Sequence, residues 1–182
     1  MDNNTRDKVF GFFQAKTPDK FSVPHLRMMA VVRLSESVEA WRMKQLASIE
    51  QFRNMIETAR EQTASTEAWY AYWFPVWYEK YVKGSVEDKL VESAFRLLVL
   101  AGQEGYDIKP KTLRTKDERS FVEVADAITY ILPKGKDGVN EALSLIMNLF
   151  KRIGYQRDMV NYMMKSKMTF FEYRGFDNGK RF

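Results

Sequence analysis

Cysteine is absent from this sequence, and histidine occurs once, as His25. The first absence excludes disulfide scaffolds, Cys-ligated zinc, iron–sulfur clusters and thiol nucleophiles. The second excludes a multi-histidine metal site, and confines any Ser-His-Asp chemistry to His25, whose place beside Pro24 reads as an ordinary helix start. Long apolar runs are missing too, since no stretch approaches the 18 or so uncharged residues that a membrane-spanning helix needs. The N-terminal Met1–Lys8 carries Asp2, Arg6, Asp7 and Lys8 with no apolar signal segment behind it, so a cytoplasmic location is expected.

What is present suits one globular unit. With 182 residues, 45% of them hydrophobic, the chain can bury a core without disulfides or a structural metal, and a single domain over 1–182 is expected. Basic residues outnumber acidic ones 29 to 24, a net charge of +5. That balance suits a polyanionic partner, nucleotide or nucleic acid, without choosing between them.

The hydrophobic pattern is helical nearly throughout. An N-terminal arm, 1–23, holds Phe10, Phe12 and Phe13 and predicts one short helix followed by a loop at Thr17-Pro18-Asp19. From Pro24 to about Gln62, neither proline nor glycine intervenes, and Leu26, Met29, Leu34, Val38, Trp41 and Leu46 recur at helical spacing. One long helix or two joined ones should result. Trp69–Tyr81 is the most aromatic block, and the stripe Trp69, Trp73, Val76/Trp77 and Lys80/Tyr81 reads as core and dimer packing, with base stacking the sharper alternative. Ser85 and Asp88 form an S-x-x-D capping signal ahead of a helix closed by Gly102 and Gly105. Beyond the basic loop Lys109–Lys116, with Lys111 and Arg114, the run Val122, Ala125, Ile128 and Ile131 stops at Pro133. Lys134–Gly138 reads as a turn, Val139–Ile153 and Arg157–Lys167 as helices, and 170–182 as an extended basic tail.

Two segments suggest a family. Leu34-Ser35-Glu36-Ser37-Val38-Glu39-Ala40-Trp41-Arg42 resembles the first signature helix of the MazG-like nucleotide pyrophosphohydrolases. Ser85–Gly102, continued by Gly105-Tyr106-Asp107-Ile108, resembles the second, and Arg174 with Gly179-Lys180-Arg181-Phe182 resembles the basic tail. The resemblance implies an all-α, MazG-like helical bundle completed by oligomerisation, a dimer or higher. It also implies carboxylates in E-E-x-x-E and E-x-x-D patterns that hold Mg²⁺ or Mn²⁺ while water cleaves a nucleoside triphosphate to a monophosphate and pyrophosphate. The spacing has a physical logic: carboxylates three or four residues apart share a helix face, so two helices can aim hard oxygen ligands at one point.

This chain departs from that pattern. The family's ligand positions fall on Arg33, Glu36, Lys89 and Glu92, and two of the four are basic. Val99 stands where similar sequences carry an acid, and Asn178 where they carry a tail histidine. At about 4 Å and an effective dielectric near 20, a unit charge is worth roughly 4 kcal/mol per unit of ion charge, so exchanging two anions for two cations opposes a divalent ion by more than roughly 10 kcal/mol before relaxation.

The expectation is therefore a degenerate site with no metal cofactor, in which each basic residue pairs along its own helix or across the gap. A shifted Mg or Mn site drawing on Glu39 and Asp88, with Glu67 or Glu79, is the alternative. Glu39 otherwise reads as a solvated charge and Asp88 as a helix cap. Arg96, Arg174 and Lys180 are candidate phosphate or substrate contacts. Three functions compete: a catalytically impaired family member kept for nucleotide or protein binding, an active pyrophosphohydrolase with a rearranged site, and, less favoured, a nucleic-acid-binding or assembly protein.

Overall fold

The computed structural model describes residues 1–17, 21–62, 67–109 and 118–174. Among these the secondary structure is helical and contains no strand. In chain order the helices are α1 (Asn3–Lys16), α2 (Val23–Arg42), α3 (Ile49–Gln62), α4 (Glu67–Tyr81), α5 (Val86–Gln103), α6 (Phe121–Ile131), α7 (Gly135–Arg152) and α8 (Arg157–Tyr173), with a 3₁₀ turn at Leu132–Lys134. None of the described helices is long and apolar enough to cross a membrane.

Helix α5 is the centre. Leu90, Ala94, Leu97, Leu98, Val99 and Leu100 are all fully buried, and the polar Glu87, Asp88, Ser93 and Arg96 are buried as well, so the helix is covered on nearly every side. α1, α2, α7 and α8 enclose it, α2 forming its most extensive contact. α4 packs on α3 and α8, and α6 lies against α7 and α2. Each fully buried Leu or Phe contributes about 1.5–3 kcal/mol, so this layer supplies most of the apolar stabilisation near the site.

Local chemistry sets the helix ends. The Ser22 hydroxyl accepts from the His25 N–H, with Pro24 in the first turn where its missing donor costs nothing. The 24–62 region divides after Arg42, where Lys44 takes a left-handed conformation at φ 55°. The loop it opens is tied to the start of α5, since Val86 N–H donates to Gln45 O and Ala47 N–H donates to the buried Glu87 carboxylate. Leu46 consequently lies outside both helices and is exposed. Ser120 and Glu123 make a reciprocal capping box on α6, an S-x-x-E signal plain in the sequence.

The 1–23 arm holds the one helix expected there as α1, which packs on α5 and buries Met1, Val9 and Phe13, while Pro18 and Asp19 of the expected loop lie outside the described residues. Several other expectations need correction. Gly105, left-handed at φ 65°, closes α5 as expected, whereas Gly102 lies in its last turn and serves helix packing, since a Cβ there would fall 2.4 Å from the Phe10 ring. Val122 is exposed, and α6 faces inward through Phe121, Val124, Ala125 and Ile128. Gly135–Gly138 is not a turn but the first turn of α7, and the tail's first residues belong to α8, which runs on to Tyr173. α4 continues through Pro75, and its buried stripe is Phe74, Trp77 and Tyr78, leaving Trp73 and Val76 exposed. The side chain of Trp69 and residues 175–182 lie outside the described residues, as do Lys111, Arg114 and Lys116.

Candidate functional site

The charged side chains of α2 and α5 meet where these helices pack. Arg33 and Glu36 occupy one face of α2 three residues apart, and Lys89 and Glu92 repeat that spacing on α5. Arg33 Nη1 donates to both Glu36 oxygens at 2.8 and 2.9 Å. Its Nε also stands 2.8 Å from Glu92 Oε2 on the other helix, an ion pair whose N–H is not aligned for a hydrogen bond. Lys89 Nζ lies 2.8 Å from Glu36 Oε2 and 4.0 Å from Glu92 Oε2. The four positions therefore come together, each basic residue reaching a carboxylate on its own helix and one on the opposite helix.

Beneath them lies a residue that the sequence reading passed over. Lys167 of α8 is 2.7 Å from Asp88 Oδ1 and 2.5 Å from Glu92 Oε1, and its side chain is 2% exposed. The ammonium also lies over the rings of Tyr78, Phe170 and Phe171, at 5.4, 5.5 and 4.8 Å. Desolvated contacts of this kind favour a cation. A signal was present: Lys167 interrupts the stripe Val160, Met163/Met164 and Phe170, where a core residue is due.

Asp88 is neither a solvated cap nor open to a metal. Ser85 is the N-cap and accepts from Asp88 N–H, but the Asp88 carboxylate reaches one residue further back, to Gly84 N–H at 2.9 Å. Tyr78 Oη donates to it at 2.8 Å, alongside Lys167. Burial pushes this carboxyl up, yet the Lys167 charge and hydrogen bond, with those from Gly84 and Tyr78, outweigh it and hold the group below the usual carboxylate range. Glu36 is likewise held low: its partial burial acts upward, and Lys89 and Arg33 overcome it.

The remaining candidates divide. Arg96 is buried, and loss of water draws its guanidinium down to about 10, against the opposing field of Glu92 and with help from Arg33. It remains charged at neutral pH. Glu39 points to solvent, 65% exposed and 4.0 Å from Arg42, so the shifted site loses one of its carboxylates. Glu79 faces Lys83 at 2.7 Å, and Arg174 stands 3.6 Å from the same Glu79 and over the Phe170 ring. Val99 is fully buried among apolar neighbours, and His25 stacks on Phe21 at 4.8 Å. Lys109 is placed by its backbone, whose N–H donates to Asn140. Lys180 lies outside the described residues. A separate cleft of about 530 Å³ opens between the starts of α3 and α8, with Glu50 and Asp158 in its wall.

Together, Arg33, Lys89 and Lys167 balance Glu36, Asp88 and Glu92. Mg²⁺ or Mn²⁺ does not fit this donor set as it is arranged, because a cationic nitrogen stands within 2.8 Å of each carboxylate. Among the described residues, no group of three or more His, Cys, Asp or Glu side chains is arranged to hold a metal ion. No protein-family model, curated protein or solved structure matches this chain.

Proposed function

We propose that this chain is a divergent MazG-like helical protein that binds a nucleotide or protein partner and has lost metal-dependent pyrophosphate release. The resemblance of Leu34–Arg42 and Ser85–Gly102 to the signature helices supplies the family. One observation carries the loss of catalysis: at the positions where the family holds a divalent ion, Arg33 and Lys89 place their own nitrogens 2.8 Å from the carboxylates of Glu36 and Glu92. An internal cation there needs no dissolved metal, and it is fixed by the fold.

The chemistry that an ion would supply, lowering the pKa of a bound water and neutralising phosphate charge, has no replacement among these groups. Lys89 and Arg33 can neutralise phosphate but generate no nucleophile. The polyanion preference of a +5 chain is compatible with a nucleotide as partner. The same reading carries association into dimers or higher oligomers, for which the exposed Tyr72, Trp73 and Val76 on α4 supply uncovered apolar surface.

Pyrophosphate release from the common ribo- and deoxyribonucleoside triphosphates, with Mg²⁺ or Mn²⁺, is the direct test, and the expected result is none above background. Turnover abolished by Glu36→Gln or Glu92→Gln would instead establish an active enzyme with a rearranged metal site. Replacing Arg33→Glu together with Lys89→Glu changes the local charge by four units. That variant is expected to bind Mn²⁺ in a calorimetric titration where the parent does not.

A further inference from the structure

Resting on that reading and deepening it, we propose that Asp88, Glu92 and the rings of Tyr78, Phe170 and Phe171 form a seat for one primary ammonium, which the chain fills with its own Lys167. The carboxylate oxygens are already apportioned. Asp88 Oδ2 takes the Gly84 N–H at 2.9 Å and Glu92 Oε2 faces Arg33 Nε at 2.8 Å, so one oxygen of each acid is engaged elsewhere. The other two, Asp88 Oδ1 and Glu92 Oε1, stand 2.7 and 2.5 Å from Lys167 Nζ. Tyr78 Oη also donates to Asp88 Oδ1 and fixes that oxygen in place. The rings of Phe171, Tyr78 and Phe170 lie 4.8, 5.4 and 5.5 Å from Nζ, and the Lys167 side chain is 2% exposed.

These partners select the class of cation. An ion of the Mg²⁺ kind asks for near-octahedral oxygen and usually keeps several waters of its own. The seat supplies one oxygen from each of two carboxylates, with aromatic carbon where those waters would stand. An ammonium asks for less, since it has three hydrogens to donate and is attracted to ring faces in a desolvated place. The exclusion of a divalent ion therefore has an inner part, supplied by α8, besides the outer part supplied by Arg33 and Lys89. The inner seat stays closed to metal even where Arg33→Glu and Lys89→Glu open the outer one.

Lys167→Ala removes the atoms of a propylammonium ion and leaves the rest of the seat in the chain. The test is thermal melting of the full-length variant, alone and with propylammonium chloride, 1-propanol or MnCl₂, beside the unmodified chain at matched ionic strength. Propylammonium is expected to raise the variant's melting temperature by roughly 3–6 °C at about ten times its dissociation constant. Propanol and Mn²⁺ are expected to add nothing, and the unmodified chain, its seat filled, to respond to none of the three. Adding Asp88→Asn and Glu92→Gln to the variant should abolish the propylammonium effect. Where Lys167→Ala alone does not fold, its refolding from urea in propylammonium gives the same answer, recovery supporting the seat and no recovery overturning it. Equal stabilisation by propanol would reveal a plain cavity, and stabilisation by Mn²⁺ a metal site; either overturns the proposal. Such a failure leaves the metal-free reading of the unmodified chain standing, whereas metal-dependent turnover by that chain would overturn the latter whatever the amine does.

Discussion

Removing the Lys167 ammonium leaves Asp88 and Glu92 sharing a pocket in which the first is 1% and the second 14% exposed. Breaking a buried ion pair from one side costs about 3–5 kcal/mol, because the stranded charge cannot regain its water. Lys167→Met is therefore expected to lower unfolding stability by about that amount in urea titrations, and adding Asp88→Asn should recover a large part of it. Acid acts on the same contact. The Asp88 carboxyl is depressed in the folded protein, so its stabilising contribution is present above its unfolded value, about 3.9, and disappears as pH falls through the folded value. Stability should decline from about pH 4 downward, and a folded Asp88→Asn variant should show a flatter acid limb when denaturation midpoints are compared across pH. Of this cluster, the family resemblance singled out Arg33, Glu36, Lys89 and Glu92, and their i,i+3 spacing showed only that each basic residue shares a helix face with an acid. The sequence did not expose Asp88's role, because an N3 acid reads as a cap until Tyr78 and Lys167 arrive from other helices.

At the scale of the element, two glycines separate helix propensity from helix packing. A Cβ at Gly138 would fall 2.0 Å from the Ile131 carbonyl oxygen, backbone that cannot step aside without moving α6 or α7. Gly11 lies exposed within α1, with nothing within 4 Å of its Cβ direction. Gly138→Ala is expected to destabilise by more than about 2 kcal/mol, whereas Gly11→Ala should stabilise by about 0.4–1 kcal/mol through reduced freedom of the unfolded chain. Thermal unfolding of the pair would show opposite signs. The helices themselves were legible as periodic segments with caps, and the misreadings share a cause. Gly135–Gly138 looks like a turn by composition, yet the close approach to Ile131 favours glycine inside a helix. In α4, aromatic residues surround the axis, so composition could not say that Phe74 and Tyr78 face inward while Trp73 stays at the surface.

For the whole molecule, the open question is how many chains act together. Tyr72, Trp73 and Val76 form an exposed apolar strip on α4, and Met28 and Val32 form another along α2. If the proposed association uses α4, the sedimentation mass should exceed that of one 21.4 kDa chain, and Trp73→Glu should return it toward that value. A monomeric mass across micromolar concentrations would remove oligomerisation from the reading. The sequence by itself determined the helical class, the exclusion of cysteine chemistry, and the placing of opposite charges three residues apart on one face of α2 and of α5, since each depends on composition or on neighbours along one helix. Only the tertiary structure decided that Lys167 completes the cluster, that Asp88 is sealed inside it and that Glu39 is left in solvent. Those outcomes depend on how three helices rotate and cross, and side-chain direction around an enclosed helix is not written in its spacing.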